Sequence, residues 1–384
     1  MRFPGFEEEW ETKKLGEVSS VSSGGTPSRA NPLYWNGDIP WISTTLIDFN
    51  FIEKSEEYIT QEGLENSSAK LFPIGTLLMA MYGQGKTRGK VAILNIEATT
   101  NQACGAITTN KEVLNPFFAF QNLVKRYDEI RDLSNQGSQE NLSGGIIKGI
   151  EITFPKLPEQ IKITSFLSLI DERIQTQNKM IEELKLLKNT LSKKIFSAQL
   201  SFKNENGYVF PRWDSKEVGE IFKITRGNVL AMNLLSNERN KEKPFPVYSS
   251  QTKNNGLAGY HSDFLFENAI TWTTDGANAG DVNYRIGKFY CTNVCGVLLS
   301  KDGYANVCIS ELINSVSKRY VSYVGNPKLM NGIMAKIKIP FPSLEEQHKI
   351  ADFLLSIDGK IEIETSILQQ LERQKTYFLA NLFI

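Results

Sequence analysis

Between Leu157 and Ala198 apolar residues return at three- and four-residue steps: Ile163, Phe166, Leu167, Ile170, Ile174, Ile181, Leu184, Leu191 and Ile195. That spacing predicts one long helix with a single apolar seam of the coiled-coil kind. Pro158 suits the first turn, where a missing N–H costs nothing. No Gly or Pro follows as far as Ala198. At about 1.5 Å per residue such a helix runs roughly 55 Å.

The pattern returns from Leu344 to Ile384. Adding 187 carries Ile152, Phe154, Pro155, Leu157, Glu159, Gln160, Lys162, Ile163, Phe166, Leu167, Ile170, Asp171 and Ile174 onto Ile339, Phe341, Pro342, Leu344, Glu346, Gln347, Lys349, Ile350, Phe353, Leu354, Ile357, Asp358 and Ile361, without a gap. Leu184, Lys188 and Leu191 then meet Leu371, Lys375 and Phe378, and polar Gln177 meets polar Glu364. A repeat this long means two copies of a domain-plus-helix unit, not a solenoid. A second echo precedes each helix: with 203 added, Trp10, Gly16, Glu17, Val21 and Gly24 become Trp213, Gly219, Glu220, Ile224 and Gly227. Like starts and like ends around unlike middles suggest one fold carrying two specificities.

Within these regions the pattern changes to short alternating or apolar runs separated by turn residues. Strands are expected at Ile39–Thr45, Thr76–Met81, Lys90–Leu94, Gly105–Thr108 and Ile150–Phe154, and near Phe245–Ser249, Ala269–Thr274 and Gly296–Ser300. Helices are expected at Pro116–Leu133 and near Ile309–Val324. The predicted class is α+β. Two mixed α/β domains are separated by a pair of long antiparallel coiled-coil helices, with an internal pseudo-twofold repeat. The divisions are 1–154, first domain; 155–200, first helix; 201–341, second domain, opening with a linker at 201–212; and 342–384, second helix. Arg2-Phe3-Pro4 resembles Phe210-Pro211-Arg212 in the linker, so the chain reads as nearly circular. Antiparallel helices would put the domains at the two ends of a rod, a geometry suited to duplex DNA.

Composition narrows the classes. The chain has 384 residues, 41% hydrophobic and 22% charged, as in ordinary soluble proteins. It has no apolar run long enough to span a bilayer and no hydrophobic signal core at MRFPGFEEEW, so the cytoplasm is the expected location. Formal net charge is zero, which does not favour a nucleic-acid binder but leaves room for a basic face balanced elsewhere. Cys104, Cys291, Cys295 and Cys308 have no metal-site spacing with the two histidines, His261 and His348. They read as buried small hydrophobes, with no metal site and no catalytic residue expected.

Two motifs resemble catalytic ones without completing them. Ala80-Met81-Tyr82-Gly83-Gln84-Gly85-Lys86-Thr87 has a loose phosphate-loop form, but Arg88-Gly89-Lys90-Val91 leads into a strand where a helix is required. Asn31-Pro32-Leu33-Tyr34 resembles the Asn-Pro-Pro-Tyr motif of amino-methyltransferases but lacks its second Pro and reads as a turn. The Gly-rich loop suits DNA better: Lys and Arg for phosphate or guanine, Gln for adenine, Gly for close backbone approach. Its matching stretch, Thr271–Gly280, offers hydroxyls and amides, as does the loop Ser249–Gly256. The DNA-contact candidates are Gly25, Thr26, Tyr82, Gln84, Lys86, Thr87, Arg88, Asn101, Gln102 and Ser138 in the first domain. In the second they are Arg226, Ser250, Gln251, Asn254, Asn255, Thr273, Thr274, Asp275, Asn278 and Asn293. Helix pairing and subunit docking are assigned to Ile170, Ile174, Ile181, Leu184, Leu191, Ile357, Ile361, Leu368, Leu371 and Phe378.

The doubled helix heads Pro155-Lys156-Leu157-Pro158-Glu159-Gln160-Ile161-Lys162-Ile163 and Pro342-Ser343-Leu344-Glu345-Glu346-Gln347-His348-Lys349-Ile350 resemble those of the DNA-specificity subunits of type I restriction-modification systems. So do the openings Leu15-Gly16-Glu17-Val18 and Val218-Gly219-Glu220-Ile221, and the stretches Gly83–Leu94 and Asp275–Arg285. The resemblance implies two target-recognition domains, each reading half of a split, asymmetric site in double-stranded DNA. It implies helices that set the gap and dock two methyltransferase subunits, with restriction/translocase subunits as further partners. S-adenosylmethionine and ATP would bind those partners, leaving this chain without a cofactor. The alternatives are a non-catalytic adaptor bridging proteins, and an orphan specificity subunit working with a methyltransferase alone.

Overall fold

The computed structural model describes residues 1–83, 86–134, 141–250 and 254–383. The chain divides into two units, Met1–Gln177 with Ile367–Ile384, and Asn178–Ser366. Each takes one half of each long helix.

The first unit opens with β1 (Glu11–Lys14), α1 (Leu15–Val18) and β2 (Ser19–Ser23). β3 (Trp35–Ile42), β4 (Phe51–Ile52), β5 (Glu57–Ile59), α2 (Gln61–Glu65), β6 (Leu77–Ala80), β7 (Val91–Leu94), β8 (Thr99–Thr100) and β9 (Cys104–Thr109) follow. Then come α3 (Pro116–Lys125), α4 (Tyr127–Asp132), α5 (Gly144–Gly149), β10 (Glu151–Phe154) and the long α6 (Leu157–Phe196). The strands form a five-stranded sheet, β2-β9-β6-β7-β4, a three-stranded sheet, β5-β3-β8, and an antiparallel pair, β1-β10. One face of the larger sheet (Leu77, Met79, Val91, Ile93, Ile107) packs on Phe118, Leu123 and Ile147 and on Ile163 and Leu167 of α6. Its other face (Leu78, Ala80, Ala92, Leu94) closes on Ile42, Ile52 and Phe72. The helix expected over Pro116–Leu133 is broken at Arg126, which leaves helical geometry (φ −97°, ψ 20°).

The second unit repeats the plan as β11 (Asp214–Glu217), α7 (Val218–Ile221), β12 (Lys223–Arg226), β13 (Phe245–Tyr248), β14 (Leu257–His261), β15 (Phe266–Thr273), β16 (Val282–Cys291), β17 (Cys295–Leu299), α8 (Val307–Ser317), α9 (Asn331–Ala335), β18 (Lys338–Phe341) and the long α10 (Leu344–Leu382). Adding 191 carries Val91–Thr100 onto Val282–Cys291. The first unit breaks this run into β7 and β8, and the second keeps it as one strand. β16 therefore joins the two groups of strands into a single sheet, β12-β17-β15-β16-β13-β14. The matched pairs Pro40/Tyr58 and Pro246/Tyr260 fix the equivalence of β3–β5 with β13–β14. Most of the length difference falls between β5 and β6, where the first unit inserts α2. The helix expected near Ile309–Val324 stops at Ser317; a 3-10 turn, Lys318–Tyr320, follows, and Val321 is extended.

In each unit the long helices run antiparallel. Phe166 and Phe378 rings lie 4.8 Å apart in the first, and Ile195 packs with Ile350 and Leu354 in the second. Ile170, Ile181 and Ile357 are buried, while Ile174, Leu184, Leu191, Ile361, Leu368, Leu371 and Phe378 are half-buried, as a seam requires. α6 stops at Phe196, short of Ala198, because Ala198 is left-handed (φ 57°) and Gln199 N–H turns back to Lys194 O.

The Glu-Gln pair at each helix head ties helix to domain. Gln160 donates from Nε2 to Pro155 O (2.7 Å) and Val113 O (2.9 Å) and accepts from Asn115 N–H (2.8 Å). Gln347 likewise donates to Pro342 O (2.9 Å) and accepts from Asn306 Nδ2 (2.8 Å). Asn115 and Asn306 are the N-caps of α3 and α8. Glu159 receives two hydrogen bonds from Arg2, each 2.8 Å, and Glu346 receives Trp213 Nε1–H at 2.7 Å. The segments before each domain dock alike: Phe3 lies on Phe166 and Lys162, Phe202 on Phe353, and Phe210 on Lys349. The sequence likeness of Arg2–Pro4 and Phe210–Arg212 thus corresponds to a shared seat.

Candidate nucleic-acid interface

In each unit three turns meet at one end of the main sheet. In the first, Gly25 N–H reaches Thr100 O (2.8 Å), Met81 N–H reaches Ala103 O (2.9 Å), and Leu142 N–H reaches Met81 O (2.9 Å). In the second, Asn228 N–H reaches Cys291 O (3.2 Å), Thr274 N–H reaches Val294 O (3.0 Å), and Leu329 N–H reaches Thr274 O (2.9 Å). The turns after β2 and β12 need glycine for clearance. A Cβ on Gly24 would stand 1.9 Å from Thr100 O, and one on Gly227 2.2 Å from Cys291 O.

The first rim leaves five of its ten sequence candidates, Thr26, Tyr82, Lys86, Thr87 and Gln102, exposed or half-buried with no correction needed. Thr26 Oγ1 donates to Gln102 Oε1 (2.6 Å), Tyr82 is 41% exposed, and Lys86 and Gln102 are exposed. Three residues need correction. Arg88 is only 6% exposed and lies inside the fold rather than on the rim. Gly25 is buried, packed where a Cβ would strike Ser68. Asn101 spends its side-chain oxygen accepting Ala103 N–H (3.0 Å), while Thr87 is half-buried like Thr26. Gln84 and Ser138 lie outside the described residues. The phosphate-loop form fails structurally: Thr87 enters a turn and then β7, with no helix, and Pro32–Tyr34 is a 3-10 turn. Sequence reasoning missed Arg29. Its guanidinium stacks on Trp35 (3.6 Å) and Trp41 (4.9 Å) and bonds both Glu57 oxygens. The Arg29 hydrogen bonds hold the Glu57 carboxyl below its ordinary range. Trp41 Nε1–H donates to Gly25 O and Trp35 Nε1–H to Ser28 O, so this cluster braces the Gly25–Arg29 loop. A pair of tryptophans near a lone Arg was its signal in the sequence.

The second rim carries different chemistry. Asn254, Asn255 and Asn293 are exposed; Arg226, Ser250, Asp275 and Asn278 are half-buried. Asn278 Nδ2 donates to Ser250 O (3.3 Å), joining two loops. Asn254 (φ 51°) and Asn255 (φ 50°) are left-handed, a strained conformation that clusters at functional sites. Thr274 is a correction: it is buried, and its Oγ1 bonds Val294 O (2.9 Å) and Asp275 (2.6 Å), bracing its own turn, while Thr273 is buried off the rim in the wall of the cavity beneath it. Gln251 lies outside the described residues. Missed entirely was the stretch Lys318–Lys328. It is tied to the Thr274 turn through Gly276 N–H to Pro327 O (2.9 Å), and it exposes Tyr320 (44%), Tyr323 (69%) and Val324 (92%) beside cations. Two tyrosines flanked by basic residues in KRYVSYVGNPK were the available signal.

Beneath this second rim lies a polar cavity of about 260 Å³, with Arg285 in its wall. Burial pushes the Arg285 guanidinium below its usual range. The thiols fit a structural role. Burial pushes Cys104 up to about 12 and Cys295 up to about 11, and raises Cys291 and Cys308 as well. Among the described residues no His, Cys, Asp and Glu group could hold a metal, and no helix is long and apolar enough to cross a membrane. The helices also expose apolar side chains outside the seam, Leu169 (60%), Leu186 (67%) and Ile363 (61%). In the first unit a recess of about 470 Å³ opens beside Phe166, Ile170, Leu371 and Tyr377.

Two rims of unlike chemistry on one repeated scaffold point to paired recognition domains, and the type I restriction modification DNA specificity domain matches this chain twice, over residues 7–186 and 212–373. The chain belongs to that family. A type I restriction enzyme specificity subunit of Methanocaldococcus jannaschii is 30% identical over 68% of this chain, and the match covers 62% of that subunit's length. A putative type I specificity subunit of Mycoplasma pneumoniae is 34% identical over 56% of this chain and 83% of its own length. A type I restriction-modification S subunit from M. genitalium shares the fold, with a TM-score of 0.67 at 18% identity over 100% of this chain and 97% of that one. In this family's terms, each half of the chain is one DNA specificity domain.

Proposed function

We propose that this chain is the DNA-reading, non-catalytic subunit of a type I modification complex, with each rim reading one half of a split site. The observation that carries this is the pairing of rims. The same three turns are clamped by the same backbone bonds, yet one presents Tyr82, Lys86 and Gln102 and the other Asn254, Asn255, Asn278 and Asn293. A conserved frame with unlike side chains is what two different half-sites require. Methyltransferase subunits, bringing S-adenosylmethionine and acting on adenine, dock on the exposed apolar positions of α6 and α10; ATP belongs to restriction/translocase subunits where these join. The complex works in the cytoplasm, where its DNA is.

The test is selection of duplexes from a randomised library by the chain assembled with its methyltransferase. The expected product is a motif of two defined blocks separated by an undefined gap. Binding that depends on salt but not on sequence would defeat the reading.

A further inference from the structure

The two sheets can be compared position by position, and they differ at one patch. Ladder pairing equates Leu78 with Thr271, Ala80 with Thr273, Ala92 with Asn283 and Leu94 with Arg285. The first four are fully buried and apolar. Their counterparts are polar and wall the cavity of about 260 Å³, several times the volume of one water. The strand pairing does not need polar groups here, because the first unit pairs β6 with β7 without them.

Arg285 is the unusual member. It is 8% exposed, holds its Cζ 3.7 Å from the Tyr248 ring centroid, and donates from Nε to Thr271 Oγ1 (3.0 Å) and from Nη2 to Asn255 O (2.8 Å). Both acceptors are uncharged. A buried cation satisfied only by neutral groups is costly unless an anion completes it. The one carboxylate in the cavity wall, Asp281, is already paired with Lys318 Nζ at 2.8 Å. Ser249 and Thr273 hydroxyls and the Asn278 amide share the wall and are suited to anion oxygens. A base edge inside a duplex cannot enter a recess, whereas phosphates are the outermost groups of the double helix.

We propose that the Arg285 cavity is a phosphate site. Resting on the reading that duplex DNA lies on this rim, its occupant is one backbone phosphate of the second half-site. Free phosphate shares the chemistry. Arg285 thereby fixes the register of the second domain on DNA without itself reading a base.

The test uses the complete chain with its methyltransferase, comparing Arg285→Gln and Arg285→Lys. Affinity for the cognate duplex is measured against salt concentration. Gln should lower the slope of log K on log salt by about 1, with base preference unchanged, and Lys should keep it. A methylphosphonate scan of the second half-site should find one position that weakens the wild type and not Arg285→Gln. Separately, inorganic phosphate at fixed ionic strength should raise the melting temperature of the wild-type chain and not of the Gln variant. Stabilisation by phosphate without a methylphosphonate position assigns the site to free phosphate and rejects the DNA occupant. An unchanged slope with no phosphate effect overturns the site, as does a loss confined to one base pair. Failure of DNA reading itself would show as no sequence selectivity in the wild type, and the inorganic phosphate arm would still decide the cavity.

Discussion

Lys188 Nζ stands 2.8 Å from Asp358 Oδ2, and the same pair recurs with the helices exchanged: Lys375 Nζ stands 2.6 Å from Asp171 Oδ1. Adding 187 turns Lys188 into Lys375 and Asp171 into Asp358. The lysine of one copy therefore always finds the aspartate of the other, and the seam is pinned once in each unit. Lys188 also bonds Glu311 at 2.9 Å, which ties α6 to α8.

Replacing Lys188 with Met would leave Asp358 and Glu311 facing each other without a cation. The expected loss is about 1.5–3 kcal/mol, the worth of hydrogen bonds to a charged group. Thermal unfolding of the two proteins checks it. Burial opposes the Lys188 charge, but the Asp358 and Glu311 hydrogen bonds outweigh it and hold its pKa above the ordinary lysine value. Stability from this group is thus complete below the unfolded value of about 10.4 and is lost as pH rises through the folded one. The gap in melting temperature between wild type and Lys188→Met should shrink from pH 9 to pH 11.

Gln347→Leu would remove the acceptor of Asn306 Nδ2 and the donor to Pro342 O inside a fully buried site. Groups stranded this way cost about 1–3 kcal/mol. Gln160→Leu should cost as much in the first unit. Chemical denaturation of each variant measures this, and a change below about 0.5 kcal/mol would remove the locking role given to these glutamines.

The four cysteines should be silent in the native chain. Nucleophilic attack needs the thiolate, and Cys104 near 12 and Cys295 near 11 hold none at pH 8. Ellman's reagent should titrate no thiol before denaturant is added and four afterwards; a prompt native reaction would show that one of them is open.

If helix length sets the gap between half-sites, seven residues inserted at matching heights in α6 and α10 keep the seam in phase. The insertion adds about 10 Å, or roughly three base pairs. Methylation mapping should show the gap widened by that amount, with both blocks unchanged.

The features legible in the sequence were those that repeat over many residues. The seam from Ile163 to Ile195, its copy 187 residues on, and the shared openings at Trp10 and Trp213 gave the fold because periodicity needs no tertiary information. The sites were less legible because their partners lie far apart in the chain. Arg285 is defined by Thr271, Asn255 and Tyr248, which only the register of β15 and β16 brings to it. Thr274 looks like a DNA-facing hydroxyl in a polar loop, yet it is spent on Val294 O. Arg88 reads as a phosphate contact, yet it sits inside the fold. Loop composition marks where recognition happens; it does not tell a reader from a brace.

The most direct test maps methylated adenines across a genome carrying this chain and the methyltransferase proposed to partner it, with and without the chain. Loss of methylation at one split motif on removal of the chain is the predicted result, and exchange of the second domain should alter only one half of that motif. Methylation unchanged by removal, or a motif altered in both halves by the single-domain exchange, would contradict the account.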